Sequence, residues 1–114
     1  MSQVRINIVD IIGTSNAIIQ KFGNQIFEVA SSYLNAGSSI VLDFHSISNL
    51  TSGFCNASIG QLYTKYPSIA SANIVIENID QSSVWYEKIQ DSIVLAQNPE
   101  KAVIIDNAIL ALFD

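Results

Sequence analysis

Charge is what this chain has least of. Charged residues make up 13% of its 114 positions, against roughly 25% in a typical soluble domain. Its surface must therefore rely on Ser, Asn and Gln, or be partly buried against something else. The five cations, Arg5, Lys21, Lys65, Lys88 and Lys101, are scattered, and the net charge is −5. Nucleic-acid binding needs clustered Lys or Arg to neutralise phosphates, so no nucleic-acid partner is expected. There is one cysteine, Cys55, which can neither staple a fold nor hold a metal alone and which fits a reducing interior. Long hydrophobic runs are missing too. The most apolar stretch, Ala102 to Phe113, carries Asp106 and Asn107 and falls short of the roughly 20 residues a membrane span needs. The N-terminus passes straight into a strand pattern, so no signal peptide is expected and the chain reads as cytoplasmic. Gly13 and Gly23 stand isolated, outside any glycine-rich phosphate motif. The acids Asp10, Asp80, Glu87 and Asp91 are spread over different elements. Only Glu87 and Asp91 share a helical face, where they are expected to meet solvent. No cofactor or metal is expected.

What is present alternates regularly. Val4 to Ile12 has period-two alternation in its first half and reads as a strand. Gly13-Thr14-Ser15 breaks it and offers an N-cap. From Ala17 to Leu34, the apolar set Ile19, Phe22, Ile26, Val29, Ala30 and Tyr33 follows helical spacing. Gly37 then stands where a left-handed cap ends a helix. Ser39 to Phe44 reads as a strand apolar enough to be covered on both faces. Gly53 to Tyr66 reads as a second helix stopped by Pro67, and Ala72 to Ile79 as a third strand. Asp80 or a following serine caps a helix with the stripe Trp85, Ile89, Ile93 and Ala96; Tyr86 is left at its rim. Asn98-Pro99-Glu100 is a start signal for a last helix over 98–113. The β-branched run Ala102 to Ile105 keeps a fourth strand open. That last segment is apolar almost all round if helical, which predicts a deep groove, a homodimer or a fixed partner. Strands alternating with helices imply one domain over 1–114, with βαβ crossovers of right hand.

The segment Ile40 to Phe54 is the most informative. Val41, Leu42 and Phe44 supply a strand, Ser46, Ser48, Thr51 and Ser52 supply hydroxyls, and Gly53 opens the next helix. A serine at a helix N-terminus sits where free backbone N–H groups and the helix dipole stabilise a phosphate. The plain alternative is that Thr51 or Ser52 is only an N-cap, worth about 1 kcal/mol. Asp43 and His45 lie two apart and share a face if the strand continues, although Asp43 also reads as a local loop organiser. Cys55, in the first turn of the helix, offers a conceivable partner for His45 in a small hydrolase or phosphotransferase, against a core role for the thiol.

A Leu42-Asp43-Phe44 strand, a Ser46-x-Ile-x-x-Leu-Thr-Ser52 loop, Gly53-Phe54 and then an amphipathic helix together resemble STAS-like domains, relatives of the sulfate-transporter and anti-sigma-factor-antagonist fold. The nearest likeness is to a bacterial STAS-like family of unknown function. By order of elements it covers roughly residues 4–97, and it is most specific at the central segment. The resemblance implies a small single-domain α/β fold, a β-sheet with βαβ crossovers packed by helices on one side. In anti-sigma-factor antagonists the matching loop reads Asp-Ser-Ser-Gly or similar, and its first serine is phosphorylated by a partner kinase. Ser52 matches that serine, and Thr51 stands where the family has an acid. The resemblance thus implies a non-catalytic regulatory module, switched at Ser52 or Thr51, that acts on a histidine-kinase-like ATPase. Its partner surface would comprise Ser46, Ser48, Asn49, Gly53, Phe54 and Cys55. A structural or assembly subunit without phosphorylation is the alternative.

Overall fold

A computed structural model describes residues 2–98 of the chain. The helix expected over 98–113, its strand alternative at 102–105 and the homodimer contact expected through it lie outside the described residues. In chain order the elements are β1 (Gln3–Asn7), α1 (Ile8–Ile12), β2 (Asn16–Ala17), α2 (Gln20–Asn35), β3 (Ser39–Asp43), β4 (Asn49–Leu50), α3 (Ser52–Cys55), a π-helical turn (Asn56–Gly60), α4 (Gln61–Lys65), α5 (Pro67–Asn73), β5 (Ile74–Glu77) and α6 (Val84–Gln97). Three parallel strands form the sheet in the order β1-β3-β5. Both crossovers step in the same direction, and with the usual right hand they place their helices on one face.

The strand register shows how the alternation is used. Ile6 lies beside Leu42, and Leu42 beside Ile76. Ile6, Ile40 and Leu42 join the buried cluster, with Val4, Ile74 and Ile76 packed against it. Side chains at odd positions point the other way. On that opposite face Arg5 donates from Nη1 to Asp43 (2.9 Å) and from Nη2 to Glu77 (2.8 Å), linking all three strands. The Glu77 arm is exposed, so solvent screening leaves it little net stabilisation.

Several boundaries differ from the sequence expectation. The first strand stops at Asn7, not Ile12, because the Asn7 side chain accepts from the Asp10 N–H and caps a short helix. Ile8 and Ile12, one helical turn apart, are its buried residues, and Gly13 closes it with φ 76°. The helix expected from Ala17 is α2 and begins at Gln20, since Asn16 and Ala17 pair in parallel with Asn49 and Leu50. Pro67 does more than stop a helix: it opens α5, which the sequence reading missed. The third strand is the shorter Ile74–Glu77, and Ser83, one of the candidate serines, caps α6 by accepting from the Tyr86 N–H. The turn at Gly37 is left-handed as expected, with φ 87°.

Residues 52–65 form one continuous helix whose middle is the π-turn. Phe54, Cys55, Ile59 and Leu62 on it are fully buried, and each large apolar side chain contributes about 1.5–3 kcal/mol. The helix is held against α2 by a very close approach. A Cβ built on Gly23 would lie 2.7 Å from both the Phe54 carbonyl oxygen and the Ala57 Cβ. Replacing glycine with alanine inside a helix ordinarily gains about 1 kcal/mol, but overpacking costs about 1–3 kcal/mol. Gly23→Ala is therefore expected to destabilise the domain, seen as a lower urea midpoint at unchanged m-value.

Candidate functional site

The loop between β3 and α3 is pinned at many points. Its start is organised by Asp43, at the carboxyl end of the central strand. Asp43 accepts from the His45 backbone N–H (2.9 Å), from Asn78 Nδ2 (2.7 Å) and from Arg5. One carboxylate thus ties the loop after β3 to the loop after β5, where Asn78 has φ 60°. The strand does not continue to His45, which is exposed, so Asp43 and His45 meet through the backbone and not as an acid–imidazole pair. Ser46 then turns the chain with φ 68°. The Ser48 N–H donates to the Ser15 carbonyl (2.8 Å) and the Asn49 amide to Asn16 (2.6 Å). From the far side, Lys88 Nζ on α6 donates to the Leu50 carbonyl at 3.2 Å.

Thr51 and Ser52 divide two roles that the sequence left undecided. Thr51 is the N-cap: its Oγ1 accepts from the Phe54 N–H (3.2 Å) and donates to the Ile18 carbonyl (3.2 Å). Ser52 is the first helical residue and is exposed. Its hydroxyl makes no side-chain hydrogen bond among the described residues. Ser46, Ser48, Asn49 and Gly53 are exposed around it. Phe54 and Cys55, expected on the same surface, are instead 0% exposed. The helix turns both side chains into the core, a direction that spacing along the loop did not reveal.

The structure adds residues that sequence reasoning missed. Ile18 and Ile19 were expected inside a helix, with Ile19 on its apolar stripe. They form the extended entry to α2 and are 47% and 43% exposed, beside the Thr51 cap. Lys88 brings a cation to the loop from a residue far along the chain, and no local pattern signals that. Glu87 and Asp91 are exposed as expected, and Trp85 packs against the core. Among the described residues, no group of three or more His, Cys, Asp and Glu side chains is placed to hold a metal, and no helix is long and apolar enough to cross a membrane.

A three-stranded parallel sheet with helical crossovers, carrying a capped strand–loop–helix at its centre, defines a small STAS-like α/β domain. A family model described as a STAS-like domain of unknown function (DUF4325) matches residues 18–84, and the chain belongs to that family. No curated protein and no solved structure matches.

Two titrations follow from the geometry. Burial pushes the Asp43 carboxyl up, but hydrogen bonds from Asn78, the His45 N–H and Arg5 outweigh it and hold the group below its ordinary 3.8. The folded state therefore binds this proton less tightly than the unfolded chain. The carboxylate's contribution is complete above the ordinary carboxylate range and is lost as pH falls through and below it. Asp43→Ala is expected to cost about 2 kcal/mol at neutral pH, with the gap to wild type narrowing in acid, as read by urea denaturation across pH. Burial likewise pushes the Cys55 thiol from 9.0 up to about 12, against a small opposing pull from Lys88. Unfolded chains ionise in that window while folded ones do not, so stability falls as pH rises through it. At about pH 8 a thiol reagent should label Cys55 only after denaturant is added.

Proposed function

We propose that this domain is a non-catalytic regulatory module of the bacterial cytoplasm whose exposed shoulder around Ser52 binds a partner protein, with phosphorylation of Ser52 as the switch. The observation that carries this reading is the division of labour at the helix start. Thr51 supplies the cap, and the Ser52 hydroxyl is left in solvent. In the anti-sigma-factor antagonists that this loop resembles, an acid precedes the serine. Aspartate and threonine are both good N-caps, so Thr51 preserves the capping role that an acid at that position would fill.

Three surroundings favour a phosphate at Ser52. The first N–H groups of a helix have no partner within it, and the dipole of a helix running over 52–65 favours negative charge there. Lys88 reaches from α6 to the Leu50 carbonyl and adds a cation beside the loop that leads into this helix. Ile18 and Ile19 give a partner apolar contact next to the charge. The partner to look for is the histidine-kinase-like ATPase that the family resemblance suggests. The burial of Cys55 and its raised thiol pKa weigh against the hydrolase or phosphotransferase alternative with His45, because the nucleophile would be the thiolate.

The test pairs the protein with a histidine-kinase-like ATPase encoded in the same gene neighbourhood. Phos-tag electrophoresis should show a retarded band for wild type and none for Ser52→Ala. Ser52→Asp is expected to weaken complex formation about tenfold while Ser52→Ala leaves it unchanged, a difference of about 1.4 kcal/mol. If both variants respond identically and no retarded band forms, the assembly-subunit alternative takes its place.

A further inference from the structure

Next to Ser52, from Gly53 onward, a cleft of about 640 Å³ opens between α2, the helix over 52–65 and α6. This volume lies in the range of ligand-binding pockets, yet its chemistry is unusual. None of its lining residues is ionisable or aromatic, and its walls carry the side-chain amides of Gln20, Asn24, Asn56 and Gln61. The π-turn contributes to this arrangement. It begins at Asn56 and ends at Gly60, and the helix resumes at Gln61; all three residues line the cleft. Such turns recur at functional sites. Ser92, buried on α6, donates to Asn56 Oδ1 at 2.7 Å, which fixes that amide and leaves its amino group to donate elsewhere. The side chains of Gln20, Asn24 and Gln61 make no hydrogen bond among the described residues.

Two glycines in this helix, Gly53 and Gly60, also line the cleft. Gly60, in the helix interior, forfeits about 1 kcal/mol of helix propensity relative to alanine. Neither is forced by a clash: Gly53 is exposed, and Gly60, buried beside α6, still has room for a methyl group. A Cβ on Gly53 would meet only Thr51 Oγ1 at 4.0 Å, and one on Gly60 would come no closer than 3.6 Å, to the Ser92 carbonyl oxygen. Gly23, by contrast, is required by its neighbours at 2.7 Å. Glycine without an internal steric reason is what a close approach by another molecule's backbone requires.

The chemistry selects the visitor. A primary amide carries donors and an acceptor, the same complement as a peptide unit. An uncharged wall offers nothing to offset the desolvation of a charged ligand, and the lack of aromatic side chains removes the stacking that holds bases. We propose that this cleft is the docking site for an extended, uncharged segment of a partner polypeptide. The segment's main chain lies over Gly53 and Gly60 and pairs with the amides of Asn24, Asn56 and Gln61. The inference rests on the interaction-module reading but not on phosphorylation of Ser52.

Panning a library of linear random peptides on the whole protein tests it. Enriched peptides should be poor in charged residues. Calorimetry should show their binding weakened about tenfold or more by Gly60→Leu and by Asn56→Ala, the loss typical of a key contact, and unchanged by Ser71→Ala, an exposed position on α5 outside the cleft. Gly60→Ala, which the structure admits without strain, should keep or raise the thermal midpoint while weakening peptide binding, which separates a lost site from a lost fold. The proposal is overturned by the absence of enriched peptides, by peptides that bind the cleft variants as well as wild type, or by enrichment of charged sequences only. Self-association of the free protein that Gly60→Leu abolishes would overturn it in favour of a second copy as the occupant. Should complex formation with the ATPase respond to Ser52→Asp but not to the cleft variants, the cleft assignment fails alone and the Ser52 reading stands.

Discussion

The contact on which the rest depends is the approach of α2 to the helix over 52–65 at Gly23. With no side chain at that position, the Phe54 carbonyl and Ala57 of one helix come within touching distance of the other. Dense packing of this kind leaves the second helix little freedom to rotate. Its rotation decides everything at the surface. It sends Phe54, Cys55 and Ile59 inward, leaves Ser52 in solvent, and presents Asn56, Gly60 and Gln61 to the cleft. Ser58, buried in the π-turn, donates its hydroxyl to the Phe54 carbonyl (2.7 Å), so the polar groups at the tightest point of the contact remain paired.

Asp43 plays the matching part at the end of the sheet. Ligand sites of open parallel sheets gather outside the carboxyl ends of the strands, where loops must be held without the help of a ladder. Here one nearly buried carboxylate accepts from both flanking loops and from the Arg5 guanidinium. The arrangement uses a charge that the composition can ill spare, and it uses it inside the fold. The ion pair with Arg5 also crosses the strands from the face opposite the helices. The core and the loop are thereby joined through a single side chain.

The sequence made the order of elements legible because strand and helix periods differ sharply and because Gly37 and Pro67 punctuate them. Asp43 as a loop organiser was readable too, since an aspartate at a strand end commonly bonds the backbone two residues on. What escaped was tertiary. The strand pattern of Val4 to Ile12 hid a helix because Ile8 and Ile12 satisfy both alternation and one helical turn, and only the Asn7 cap separates the two. Ile18 and Ile19 looked like helix because nothing local announces the short ladder between Asn16–Ala17 and Asn49–Leu50. The assignment of Thr51 and not Ser52 as the cap depended on where the first helical turn begins, a matter of one residue. Lys88 and the cleft depend on α6 folding back over the central helix, and no spacing along the chain encodes that.

Under the proposed switch, having the modified hydroxyl one residue inside the cap would have a mechanical consequence. Phosphate on a capping residue would trade a hydrogen bond that holds the helix for a charge, coupling the switch to the stability of the fold. On Ser52 the added −1.5 to −2 charges meet the positive end of a helix whose cap, Thr51, is untouched. The domain would stay folded and only its outward face would change. On a chain with 13% charged residues, few neighbouring groups compete with such a change in potential. A switch at this position would therefore be read by whatever touches the shoulder, next to Ile18 and Ile19, and not by the core. The scarcity of charge, which at first suggests only a covered surface, is also what would let one phosphate dominate the surface that remains.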